Sequence, residues 1–110
     1  MATIVAVDEL PHGKVAARFE GAEHGAQVSF FAGAYPPGFS PPLHTHPYEE
    51  TFIIQEGAGT FTIGDETIEA GAGQIVVVPA GTPHMFVTTS DVPMRQVSIH
   101  PAPRMSQENL

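Results

Sequence analysis

Short stretches of alternating apolar and polar residues recur along this chain, and Gly, Pro, Asp and Ser interrupt them every few positions. No stretch of useful length repeats with a helical period. Ile4 to Val7 reads as a short apolar strand, Pro11 to Lys14 as a turn and Val15 to Phe19 as a second strand. Glu20 to Gly25 is a polar loop. In Gln27 to Ala32, alternation sets Gln27, Ser29 and Phe31 on one face and Val28 and Phe30 on the other. A stiff Pro-rich lead-in, Tyr35 to Pro42, reaches a strand carrying His44 and His46.

Thr51 to Gln55 follows, with Phe52 and Ile54 on the face of Glu50. Gly59 to Ile63 and Glu66 to Glu69 form a hairpin, and Gly64-Asp65 between them suits a II′ turn. Gln74 to Val78 is nearly all β-branched, the pattern of a strand buried on both faces. Pro83 to Thr88 puts His84 and Phe86 on one face. In Met94 to His100, Arg95, Val97 and Ile99 oppose Gln96, Ser98 and His100. Pro101 to Leu110 reads as a polar tail. The prediction is an all-β fold, an antiparallel sandwich or barrel, in one domain spanning residues 1–110, with no internal repeat or linker.

Composition narrows this picture. A chain of 110 residues can bury a single core without staples. The 11 Gly and 11 Pro suit many tight turns rather than long helices. Without Cys, neither a disulfide framework nor a thiolate site is possible. The longest apolar run is far short of a membrane span, and Met1 to Leu10 lacks the basic region of a signal peptide, so a cytoplasmic location is expected. The formal net charge is -8, and no Lys or Arg lies between Arg18 and Arg95. Nucleic acid and anionic membrane surfaces are therefore excluded as partners.

The chemistry lies between Gly38 and His84. On an extended strand His44 and His46 point the same way, and Pro47 favours a bend after them. Glu50 can return opposite the two imidazoles. Neutral imidazoles with one carboxylate suit a divalent first-row metal and leave coordination positions open. His84 is a fourth candidate ligand, or caps a turn. Composition alone does not choose between Glu49 and Glu50. His100 faces either the cavity or the surface, Tyr48 is a candidate for the cavity mouth, and His12 and His24 receive no role.

The spacing resembles the two signature motifs of the cupin superfamily. The first motif matches at Gly38, His44, His46, Glu50 and Gly57, and the second at Gly73, Pro79, Gly81 and His84. Thr88 stands where the family usually has Asn. The resemblance, as a small single-domain cupin, implies a jelly-roll barrel (a double-stranded β-helix). It implies a metal held by His44, His46, Glu50 and His84, and it selects Glu50 over Glu49. Its likeness to flavonol-cleaving cupins implies that Glu50 doubles as a catalytic base. A homodimer is expected as well, because open sheet edges invite pairing, Met85 and Val87 lie apolar on the face opposite His84, and Ile4 to Val7 can add a strand to a partner's sheet; the resemblance implies the same.

One divalent transition metal per chain is expected: Fe, Mn, Ni, Co, Zn or Cu. Phe52, Ile54, Phe86, Ser29, Gln96 and His100 are the expected substrate-lining residues. The leading expectation is a dioxygenase-like oxidoreductase. The alternatives are a metal-dependent isomerase, lyase or cyclase, and a non-catalytic binding module. Phe19 to Met94 holds all proposed ligands and no cation, and Arg95 is the one considered exception. A neutral, apolar or aromatic small-molecule substrate is therefore expected, because a desolvated anion needs a cationic partner.

Overall fold

A computed structural model describes residues 2–110. Ten strands run in chain order: β1 (Ala16–Phe19), β2 (Ser29–Tyr35), β3 (His44–Thr45), β4 (Glu50–Glu56), β5 (Ala58–Ile63), β6 (Glu66–Gly71), β7 (Ile75–Val78), β8 (His84–Thr88), β9 (Met94–His100) and β10 (Glu108–Asn109). They form two five-stranded sheets. One has the order β1-β2-β9-β4-β7 and the other β10-β3-β8-β5-β6, and every pairing is antiparallel. The jelly-roll barrel expected from the sequence is the architecture present. Helical structure among the described residues is confined to two three-residue 3-10 turns, Val7–Glu9 and Gly21–Glu23.

The core lies between the sheets. Phe52, Ile54, Val76 and Val78 from one sheet meet Phe61, Ala70 and Phe86 from the other, with Tyr35 and Met94 closing the cluster. Alternation is the cause: β4 and β8 bury every second residue, and those residues share a face. The ring of Phe61 lies 5.2 Å from that of Phe52 and 5.5 Å from that of Phe86, within the range of favourable aromatic pairs. In the β5–β6 hairpin Gly64 has φ +57 while Asp65 keeps negative φ, as a II′ turn requires. Gly57 has φ +78, and a Cβ there would sit 2.8 Å from the Pro93 carbonyl oxygen, so the β4–β5 corner admits only glycine.

Three strand-level expectations fail, each for a tertiary reason. Ile4 to Val7 forms no strand, and Ile4 is 96% exposed, because no edge pairs with that segment. The β-branched run at β7 is buried on one face only: Val76 and Val78 point inward, while Ile75 and Val77 are 64% and 57% exposed. β7 is an edge strand with nothing packed outside it. The C-terminal segment is not a free tail. Glu108 and Asn109 pair with Thr45 and His44, and the Leu110 amide donates to the Leu43 carbonyl at 2.9 Å.

The two motifs are also joined through the backbone. The Gly38 amide donates to the Thr88 carbonyl (2.8 Å), so the first residue of one motif meets the last position of the other. The Gly81 amide donates to the His46 carbonyl (2.8 Å), which places the second-motif turn directly on the histidine strand.

Candidate metal centre

His44 on β3 lies directly opposite His84 on β8, so their side chains share one face of the sheet. His46 follows two residues later with the same parity. Glu50 opens β4 in the facing sheet and points back at them. All four side chains are buried, and their ligand atoms lie within 4.8 Å of one another. Glu49 is exposed, which separates the two adjacent carboxylates.

The outer nitrogen of each histidine is tied down. Nδ1 of His44 donates to the Pro42 carbonyl (2.6 Å), that of His46 to Ser106 (2.7 Å) and that of His84 to Thr82 (2.8 Å). A neutral imidazole carries one proton, so each of these rings turns an Nε2 lone pair toward the cluster. Yet Nε2 of His84 lies 2.9 Å and that of His46 3.1 Å from the same Glu50 oxygen, Oε1. Lone pairs facing a carboxylate oxygen repel unless a proton or a cation lies between them. Burial pushes His44 below its ordinary value, which favours its neutral, ligating form. Burial also pushes Glu50 up, but its contacts with His100, His46 and His84 outweigh this and hold it well below the usual carboxylate range. Burial opposes charge on His46, and the contacts with Glu50 and the Ser106 carbonyl overcome it, leaving this ring above its ordinary value. Three converging lone pairs and one ionised carboxylate fit a divalent cation.

A second group surrounds Glu50. His100 ends β9, is buried, and places Nε2 3.1 Å from Oε2 of Glu50, the oxygen that the other histidines do not approach. The pair is close but poorly aligned for a hydrogen bond. The Tyr48 hydroxyl lies 2.6 Å from Nδ1 of His100, so when it donates there His100 keeps its proton on Nε2, toward Glu50. Tyr48 also stacks on His46, with ring centroids 5.2 Å apart and planes 6° from parallel, and it accepts the Ser106 amide (3.1 Å). Burial raises Tyr48, keeping it a neutral donor. The sequence offered His100 as a lining residue and Tyr48 as a candidate for the cavity mouth, neither as a partner of Glu50. The Ser106 carbonyl carried no signal, since any residue supplies one.

A cavity of about 480 Å³ opens from the cluster. Of the expected lining residues, Phe52, Phe86 and His100 line it. Ile54, Ser29 and Gln96 do not. Ile54 is core, and Gln96 is buried with neither amide atom partnered. Ser29 is structural: its hydroxyl donates to the Ala102 carbonyl (2.7 Å) and accepts the Gly21 amide (3.1 Å). Missed from the sequence were Phe31, Tyr35, Phe39 and Arg18, all on the cavity wall, and His12 at its edge. Arg95 turns to the outer face and lies 3.7 Å from Glu56.

The family follows from a direct match. Residues 33–100 fit the family model described as a cupin domain. This chain belongs to the cupin family. An uncharacterized protein of Methanocaldococcus jannaschii is 32% identical over 72 residues, covering 64% of this chain and 58% of that protein. An uncharacterized protein of Streptomyces coelicolor is 37% identical over 41 residues, 37% of this chain and 39% of that one. The chain thus spans less than two thirds of either relative. Among solved structures, a Klebsiella pneumoniae protein with a double-stranded β-helix domain superposes with a TM-score of 0.76 at 20% identity, covering 99% of this chain and 97% of that one. Bacillus subtilis oxalate decarboxylase superposes with a TM-score of 0.86 at 17% identity, covering 100% of this cupin but 32% of that chain. At such identity these likenesses show the fold alone. No helix among the described residues is long and apolar enough to cross a membrane.

Proposed function

We propose that this cupin holds one divalent transition metal through His44, His46, Glu50 and His84. We further propose that it is a metal-dependent oxidoreductase of dioxygenase type, acting on a small molecule with an apolar or aromatic body. The observation that carries the reading is the convergence of three Nδ1-anchored imidazoles on ionised Glu50 at the base of an aromatic-walled cavity. A bound ion would supply Lewis acidity and, where redox-active, electron transfer with dioxygen. The protein's own residues do the rest. Phe31, Phe52 and Phe86 exclude water and pack the substrate body. Glu50 is the nearest group able to take a proton from a substrate oxygen. His100 stands 3.1 Å from the second Glu50 oxygen, and the Tyr48 hydroxyl fixes the His100 ring. The printed description of a further Bacillus subtilis oxalate decarboxylase structure names Mn(II) centres, which puts manganese among the metals to test first.

A second reading, Lewis-acid isomerase or lyase chemistry, is favoured by the Tyr48–His100–Glu50 chain, which serves proton transfer without an oxidant. Metal analysis of untagged protein, followed by oxygen-electrode assays on phenols and enols, separates the two. A redox-active metal with substrate-dependent oxygen uptake supports the oxidoreductase. Zinc and no uptake support the other.

The protein is also proposed to act as a homodimer. The contact surface is the outer face of the β1-β2-β9-β4-β7 sheet rather than the N-terminal segment. By register, Ile75, Ile53, Val97 and Ala32 form one apolar row there, and Val77, Thr51, Ile99 and Phe30 the next. β7 leaves an unpaired backbone edge beside them, and a second copy offers the same edge, so the contact closes on itself.

A further inference from the structure

The cavity lining holds a cation, Arg18, that the metal cluster does not use. By register Arg18 on β1 faces Phe31 on β2, which faces Ser98 on β9, which faces Phe52 on β4. These four therefore form one row across the inner face of the sheet. Glu50, the one carboxylate in the cavity lining, is engaged by His46, His84 and His100.

Among the described residues, Arg18 makes no ion pair, although the chain holds 12 carboxylates for four Lys and Arg. The other two arginines do pair: Arg95 with Glu56, and Arg104 with Glu20 and Glu23. Where acid is in such excess, an arginine left without it, at the edge of a cavity, is available to an anion from outside. The ground for a neutral substrate was the lack of a cation between Phe19 and Met94. Arg18 stands one residue outside that window and reaches the cavity from a strand that the motifs do not cover.

We infer that Arg18 binds the carboxylate of an organic acid whose apolar body lies along Phe31 and Phe52 and whose far end carries an oxygen directed at the metal cluster. The inference rests on the proposed metal-dependent function and names its substrate class. Arg18 and Phe52 stand three inter-strand steps apart, each about 4.8 Å, with Phe31 and Ser98 between them, which leaves room for a flat apolar body along the row. A guanidinium gives a carboxylate two parallel hydrogen bonds and a neutral amide fewer, so the carboxylate end should be chosen over its neutral isostere.

The test compares 4-hydroxybenzoate with 4-hydroxybenzamide by calorimetry. The protein is loaded with Zn(II), so that no oxidative turnover intervenes, and the comparison is repeated on metal-free protein. The carboxylate should bind about tenfold or more tightly than the amide. Arg18→Ala should remove that preference by weakening the carboxylate far more than the amide, and Arg18→Lys should retain part of it. The preference should also shrink as salt is raised, because Arg18 is exposed. Thermal melts on each variant check folding. Equal affinities, a preference that survives Arg18→Ala, or no binding of either probe would overturn the inference. A protein that takes up no metal but keeps the Arg18-dependent preference fails the proposed function instead.

Discussion

The two ends of the cavity are built differently. The closed end is made by His44 and His84 on paired strands, His46 just after β3, and Glu50 on the facing sheet. The mouth is assembled from distant pieces: Arg18 on the edge strand β1, His12 in the preceding loop, and the C-terminal segment through Gln107, while Tyr48 and Ser106 lie outside the lining and back His46. The closed end is the part of the site that short-range sequence spacing can specify. The mouth depends on which segments the fold happens to lay beside it. In this protein, then, the candidate metal ligands are legible as a spaced motif, and the groups around them are set by topology.

His46→Ala should have the largest effect. Losing a ligand should remove most of the bound metal, a larger loss than the about 10–100-fold typical of an outer partner. Elemental analysis checks it, and a fully loaded variant would sink the assignment. Metal bound at 100 times its dissociation constant contributes about 2.7 kcal/mol, so this variant should melt at the temperature of chelator-treated wild type.

Acidification should come next. Protonated imidazole cannot ligate, so metal should leave as pH falls below the neutral range and protons displace it from the histidines. Glu50 is held below the carboxylate range and stays ionised there, so the release should follow the histidines. Its own contribution is present above the ordinary carboxylate value of about 4.3 and is lost only as pH falls below that. His46 has the opposite sign. Its value is raised in the metal-free protein, so its contribution is full below about 6.5 and lost as pH rises through the raised value. A metal-release curve centred in the carboxylate range would contradict this.

Deleting residues 106–110 removes the distant segment that supports the histidine strand. Nδ1 of His46 loses the Ser106 carbonyl and Tyr48 loses the Ser106 amide, while Met105 stays anchored by its amide bond to Glu20 Oε2. Metal affinity should fall about 10–100-fold, the range for an outer-shell partner. Competition with a chelator measures it, and an unchanged affinity would show that the C-terminal segment is not part of the site.

The smallest effect should come from Val77→Glu on the outer face. Metal affinity should not change, and intrinsic stability should move by no more than about 0.5 kcal/mol. Light scattering should instead report monomer where the parent is a dimer. A parent that scatters as a single chain at micromolar concentration ends the dimer proposal.

The sequence alone determined the parts whose physics is local. Alternation fixed which residues of β4 and β8 face inward, because side chains on a strand change face at every residue. Turn chemistry placed the β5–β6 hairpin, because Gly64 reaches positive φ without steric cost. Motif spacing brought His44, His46, Glu50 and His84 together, and short turns kept that spacing rigid. Tertiary structure decided everything that depends on a neighbour. β7 reads as doubly buried, but burial needs a second layer and the sheet ends there. The segment after Pro101 reads as a tail, but its backbone pairs with β3, and backbone groups carry no side-chain signature. Parity split β9 into two faces without saying which was inner, and only the packing of β2 and β4 on either side of it put His100 at the metal cluster and Arg95 in solvent. The same holds for Arg18. Its charge is plain in the sequence, but the register of β1 on β2 is what points it at the cavity.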